Sequence, residues 1–192
     1  KSALIERDVD VLARVRDAGG VRAFVSVPFA DPALARAIEP FAPSPDRRLR
    51  AIEVLAAAGI EVGVAFAPLI PGLNDDQFPE VLARARAAGA SRAFTVTVRL
   101  PAEVKDVFLP RLRDALPLRA ERVERAIRAQ RGGALNDPRF GHRMQGRGER
   151  AEVLERLFTL QCRKLGLLPR EVEDAYRPPP SSAPRQRLLF GE

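Results

Sequence analysis

Cysteine is almost absent from this sequence: Cys162 is the only one in 192 residues. That excludes an internal disulfide and any iron–sulfur or metal site built wholly from thiolates of this chain. Cys162 stands near the end of a helical pattern among apolar neighbours, where a core thiol is expected. Histidine is equally scarce. His142, the only one, lies in an arginine-bearing loop segment, and a solvated or anion-facing ring is expected there rather than a catalytic base. No apolar run approaches the roughly 18 residues of a membrane span, and no charged-then-apolar leader is visible, so the expectation is a soluble cytoplasmic protein with no membrane partner. A nucleophile triad and a metal-ligand cluster are also missing. The glycine-rich stretch "GGALNDPRFGHRMQGRG" lacks the Gly-x-x-x-x-Gly-Lys spacing of a phosphate loop and follows a helical pattern instead of a strand.

What is abundant is arginine, 29 of the 32 basic residues. The net charge of +7 is unevenly spread: residues 1–110 carry 14 basic and 14 acidic side chains, residues 165–192 carry four of each, and residues 111–164 carry 14 against 7. The excess in 111–164 fits either a nucleic-acid footprint or a solvated arginine-rich helical face. A length of 192 residues is enough for one main core and a small appended element.

Residues 1–110 alternate helix and strand patterns. "ALIERDVDVLARVRDAG" places Leu4, Val11, Leu12 and Val15 on one helical stripe; "PSPDRRLRAIEVLAAAG" is a helix opened by Ser44 and Pro45; "DDQFPEVLARARAAG" is another. Between them "VRAFVSVPFAD", "IEVGVAFAPLIPG" and "SRAFTVTVRLP" read as strands. Helix–strand repetition at this spacing predicts parallel strands in a right-handed β/α arrangement. Strand alternation separates Arg22, Phe24 and Ser26 from the valines around them, and Gly63, Ala65 and Ala67 from Val62, Val64 and Phe66. In the third strand it opposes Thr95, Thr97 and Arg99 to Phe94, Val96 and Val98. Small and polar residues on one face predict an interior shared with solvent or ligand, as in an open, partial barrel; a flat doubly wound sheet under tightly packed helices is the alternative.

Beyond residue 101 the patterns are helical only. "AEVKDVFLPRLRDAL" reads as broken by Pro110, and "GERAEVLERLFTLQCRKLG" carries Val153, Leu154, Leu157, Phe158 and Leu165 on one face. From Leu168 the composition turns proline- and serine-rich and predicts a disordered tail. The expected organisation is therefore a partial, open β/α TIM-like barrel segment over 1–110, a helical basic extension over 111–167, and a tail over 168–192.

Four phrases in order carry a resemblance: "KSALIERDVDVL", "VSVPFADPALARAIEPFAPSPDRRLRAIEVLAAAGIEVGVAFAPLIPGLND", "VRLPAEVKDVF" and "GGALNDPRFGHRMQGRG". Together they resemble a bacterial family of radical S-adenosylmethionine proteins related in sequence to spore photoproduct lyase. The resemblance implies a partial β/α barrel whose early strands, with a C-x-x-x-C-x-x-C motif holding a 4Fe–4S cluster, precede this chain. The motif is absent here. The chain then reads as the C-terminal portion of a longer enzyme, inactive by itself, with cluster and S-adenosylmethionine as cofactors of the full-length protein and none bound by its own cysteines. The implied reaction is reductive cleavage of adenosylmethionine, fed by a reductant protein, and hydrogen abstraction from an unknown, DNA-related substrate as in repair.

Within that resemblance "VGVAFAPLIPG" looks like the fifth barrel strand, whose C-terminal edge faces adenosylmethionine, and Gly63, Ala65 and Ala67 would let an adenosine lie close to the backbone. Ser26 looks like a cofactor-reaching residue at the end of the fourth strand, or else caps the following turn. Lys1 falls where the related lyase has a cofactor-contacting lysine, or is a solvated terminus. Arg99 would meet a carboxylate of cofactor or substrate, or pair with Glu39 or Glu103. In the tail, "QRLLF" is similar to the Gln-Leu-Ser/Asp-Leu-Phe peptide that docks on the bacterial DNA sliding clamp, with Gln186 at the pocket rim and Leu189 and Phe190 as anchors; Arg187 departs from the pattern. The alternative function is accordingly a nucleic-acid-associated binding protein recruited by a sliding clamp, with nucleic acid at 111–164 and the barrel as scaffold.

Overall fold

The computed structural model describes residues 2–136 and 146–169. A short 3-10 turn, Ala3–Asp8, is capped by the Ser2 hydroxyl and leads into α1, Val9–Gly19. There follow β1 (Arg22–Ser26), α2 (Pro32–Ile38), α3 (Pro45–Ala57), β2 (Glu61–Leu69), α4 (Phe78–Ala87) and β3 (Arg92–Thr97). The chain continues with α5 (Ala102–Ala115), α6 (Pro117–Ala129), α7 (Glu149–Leu165) and a two-residue strand, β4 (Leu168–Pro169). Two helix starts combine a proline in the first turn with a side-chain cap: Asp31 accepts from the Ala33 amide before α2, and Ser44 accepts from the Arg47 amide before α3.

All strand pairs are parallel, in the order β1-β2-β3-β4. One face of the sheet is covered by helices: Val25, Val64, Phe66 and Ala93 meet Leu49, Ile52 and Leu55 of α3, Val81 and Leu82 of α4, and Phe158 of α7 in one cluster. Phe66, Ile52, Leu55 and Leu82 are fully buried there, each contributing about 1.5–3 kcal/mol relative to an exposed side chain. A second cluster caps the carboxyl end of the strands, where Phe29, Ile70, Leu73 and Leu100 from the loops pack with Leu34 of α2, Leu112 of α5, and Val123 and Ile127 of α6. This is the architecture of an open, partial β/α barrel with a helical extension.

Five details differ from the sequence reading. Helix α2 was not anticipated; its seven residues are too short for a periodicity to stand out. Pro110 does not break its helix, because α5 runs through it to Ala115. A proline costs one backbone hydrogen bond in the helix interior, and burial of Leu112 in the second cluster holds the last turn in place. The division expected at residue 110 thus falls inside a helix. In α7 the apolar residues split: Phe158 and Cys162 are buried and Leu154 and Leu165 pack against the core, whereas Val153 and Leu157 are exposed. Leu168 and Pro169, expected in the tail, add to the sheet beside Arg92 and Ala93.

The fifth difference concerns β3. Phe94 sits in register with Ala65, and Ala65 with Ser26, on the face not covered by α3 and α4. Thr95 is in register with Phe66 on the helix-covered face and donates to its carbonyl at 2.9 Å. Thr95 and Thr97 line a small cavity of about 110 Å³ with Gln130, Leu154 and Glu155, so their hydroxyls are not the polar lining of an open interior. A period of two reveals two faces, but only the packing of α7 decides which of them looks outward.

Candidate active site at the carboxyl edge of the sheet

In an open parallel sheet the loops after the strands form the ligand crevice, since the connecting helices return the chain to the opposite edge. Here β1 and β2 are tied at that edge: the Ser26 hydroxyl donates to the Ala67 carbonyl at 2.6 Å. The Ala67–Pro68 peptide bond is cis. Ser26 therefore does not cap the following turn, a task that Asp31 performs for α2.

Three residues that the sequence reading passed over hold this edge together. Arg48 of α3, 2% exposed, donates to the Ser26 carbonyl at 3.1 Å and the Pro43 carbonyl at 2.8 Å, and pairs with the Glu39 carboxylate at 2.6 Å. Asn74 is completely buried. Its side-chain oxygen accepts from the Ile70 amide at 2.7 Å, while its NH2 donates to the carbonyls of Pro28 (2.7 Å) and Pro68 (3.0 Å), linking the loops after β1 and β2. The Gln77 side-chain oxygen accepts from the amides of Ala30 and Asp31. A signal for Asn74 was present in "PGLND", because a short polar residue in a tight loop commonly bonds nearby backbone. Its partner Pro28, 46 residues away, was beyond any local pattern.

The same loop is anchored to the extension. Asp75 accepts from the Gly72 amide at 3.0 Å and from Arg150 of α7 at 2.7 Å. Gly72 has φ of 79°, in the left-handed region that favours glycine.

The expected site residues are partly brought together. Ser26, Ala65 and Ala67 share the end of the β1–β2 pair, with Ala65 buried beside Phe94 and Ala67 half-buried. Gly63 is different. A Cβ built there would lie 2.1 Å from Cε1 of Phe24, whose ring in turn packs edge-on against Phe94 with centroids 5.1 Å apart. In the structure the space over Gly63 is taken by this aromatic pair. Arg99 follows β3 and lines an open cleft of about 540 Å³ with Glu39, Pro68, Ile70, Glu103 and Val107 among its walls. Lys1, Gln186, Leu189, Phe190 and His142 lie outside the described residues.

An iron–sulfur cluster does not fit the side chains described. No group of three or more His, Cys, Asp or Glu residues is placed to hold a metal ion among the described residues. Cys162 is buried in α7, and burial pushes its thiol up to about 11, away from the thiolate that iron requires. At the strand ends the Ser26 oxygen keeps an acceptor site after donating to Ala67. At the opposite edge, Glu61 joins Arg22 and Arg92. Burial alone would raise the Glu61 carboxyl, but the hydrogen bonds from Arg92 and Arg22, with their charges, outweigh it and hold the group below its usual value.

Residues 3–85, from the first turn through most of α4, match the family model described as the Radical SAM superfamily. The chain is also similar to two curated relatives, Uncharacterized protein Rv2578c of Mycobacterium tuberculosis and Uncharacterized protein Mb2609c of Mycobacterium bovis, each 30% identical over 149 residues. Those residues are 77% of this chain and 43% of the relative, so the chain spans less than half the length of the curated relatives it matches. None of the described helices is long and apolar enough to cross a membrane.

Proposed function

We propose that this chain is the carboxyl-terminal part of a radical S-adenosylmethionine enzyme, of the branch related to spore photoproduct lyase, and that the β1–β2 edge holds adenosylmethionine. The observation that carries the reading is the coincidence of two things: the family match over 3–85 covers both strand ends, and those ends are where Ser26, Ala65 and Ala67 meet. When bound, the cluster and adenosylmethionine supply a radical capable of abstracting hydrogen from carbon; the protein supplies orientation and exclusion of water.

This chain's residues act on position. The Ser26 oxygen would accept a hydrogen bond from the cofactor while its hydroxyl goes on donating to the Ala67 carbonyl. Arg48 and Asn74 keep the two strand ends from separating, the first through the Ser26 carbonyl and the second through Pro28 and Pro68. Arg99 offers a cation beside this edge for a carboxylate of cofactor or substrate. Cluster thiolates come from elsewhere in a longer protein, since Cys162 is a core residue. An external reductant protein completes the proposal.

Anaerobic reconstitution of the full-length protein with iron and sulfide, followed by adenosylmethionine and dithionite, tests it. The expected result is one 4Fe–4S cluster per chain and release of 5′-deoxyadenosine. A full-length protein that holds no cluster or leaves adenosylmethionine intact would refute the reading.

A further inference from the structure

The cleft beyond β3 is not lined like a site for a polyanion. Its walls are Pro68 and Ile70 after β2, Val98 and Leu100 after β3, and Val104 and Val107 on the first turns of α5. Four charged residues also line it: Glu39, Arg99, Glu103 and Arg111. Glu39 is paired with the buried Arg48, and Arg111 donates to the carbonyls of Ala37 and Arg36 at the end of α2. Yet Val104 is 46% and Val107 72% exposed, so the cleft leaves apolar surface in water that a bound group would cover. Its volume of about 540 Å³ is that of a small-molecule site. It also shares a wall with the proposed cofactor edge, because Pro68 follows Ala67, whose carbonyl Ser26 holds.

We infer that this cleft receives an uncharged, apolar group of a small-molecule substrate, and so presents its C–H bonds to the cofactor edge. The inference rests on the reading of that edge as the active site. A nucleic-acid strand is disfavoured as the occupant, because the walls are mostly apolar and phosphates would meet the Glu39 and Glu103 carboxylates beside Arg99, with Arg111 already engaged with main-chain carbonyls.

The test uses the full chain and the neutral fluorescent probe N-phenyl-1-naphthylamine. Saturable binding is expected, about one probe per chain, weakened about tenfold or more by Val107→Glu, since a charge on the wall removes apolar contact. Leu118→Glu, at a residue 99% exposed on α6, is expected to bind as the parent does. Excess 12-nucleotide single-stranded DNA should not displace the probe. Non-saturable binding, binding unchanged by Val107→Glu, or displacement by the oligonucleotide would each overturn the inference. Val107 is exposed, so its substitution leaves the fold intact; unchanged urea unfolding of the variant checks this. Adenosylmethionine affinity of the full-length protein, measured separately by equilibrium dialysis, tells the two readings apart. Loss of probe binding with cofactor binding retained sinks only the apolar cleft, and the reverse sinks the cofactor edge.

Discussion

Ser26 and Ala67 stand 41 positions apart in the chain and are joined by a 2.6 Å hydrogen bond from hydroxyl to carbonyl across the ends of β1 and β2. The bond uses the hydroxyl's only proton, closes the strand pair and leaves the oxygen as an acceptor. Ser26→Ala should lower stability by about 0.5–1.5 kcal/mol. In the full-length protein it should also weaken adenosylmethionine binding about 2- to 10-fold. Equilibrium dialysis beside urea denaturation separates these effects, and lowered stability with unchanged affinity would leave Ser26 a purely structural tie.

Asn74→Ala removes three hydrogen bonds at once and strands two carbonyls and an amide in a buried loop. A loss of about 2–5 kcal/mol is expected from the desolvation of groups left unpaired. The urea midpoint measures it, and a loss under about 0.5 kcal/mol would mean that water or a loop shift replaces the side chain at little cost.

Gly63→Ala drives a methyl group into the Phe24 ring, and overpacking of this kind costs about 1–3 kcal/mol. Combining it with Phe24→Leu should recover part of the loss, because the two residues share one space. A double-mutant cycle in thermal unfolding gives the coupling, and strict additivity would contradict direct contact.

Glu61 sets an acid limb. Its folded-state carboxyl is held below the usual 4.5 by Arg92 and Arg22, so the contribution is fully present above that value. It is lost as pH falls from there through the lowered folded value, because the unfolded chain takes up the proton more readily. Glu61→Gln should therefore flatten the fall in stability below about pH 4.5 and leave the slope near neutrality unchanged. Urea midpoints from pH 7 to pH 3 decide it; parallel acid limbs for the two proteins would refute the role.

DNA binding by the basic section 111–164 should be weak and steeply salt-dependent. Arg113 and Arg128 share Glu124, Arg150 is paired with Asp75, and Arg131 donates to the Val98 carbonyl, so much of the arginine is committed within the protein. Remaining cations would still release counterions from phosphate. Fluorescence anisotropy with a duplex oligonucleotide should show binding at about 50 mM salt that fades by about 200 mM. No binding at the lower concentration would identify the charge as a solvated face.

By itself the sequence determined the β/α alternation, the parallel direction of the strands, the helix start at Ser44, and the core role of Cys162. These follow from short-range causes: hydrophobic period, proline and cap chemistry, and the cost of exposing apolar surface. Tertiary structure decided the rest. The threonines of β3 face α7 because that helix returns over the sheet; Gly63 is small because Phe24 lies across it; α5 survives Pro110 because Leu112 is buried. Arg48 and Gln77, and the loop-to-loop role of Asn74, could not be read from the sequence because several of their partners lie 22 to 47 residues away in the chain. A buried polar side chain is defined by what satisfies it, and folding brings those groups within hydrogen-bonding distance where sequence spacing cannot.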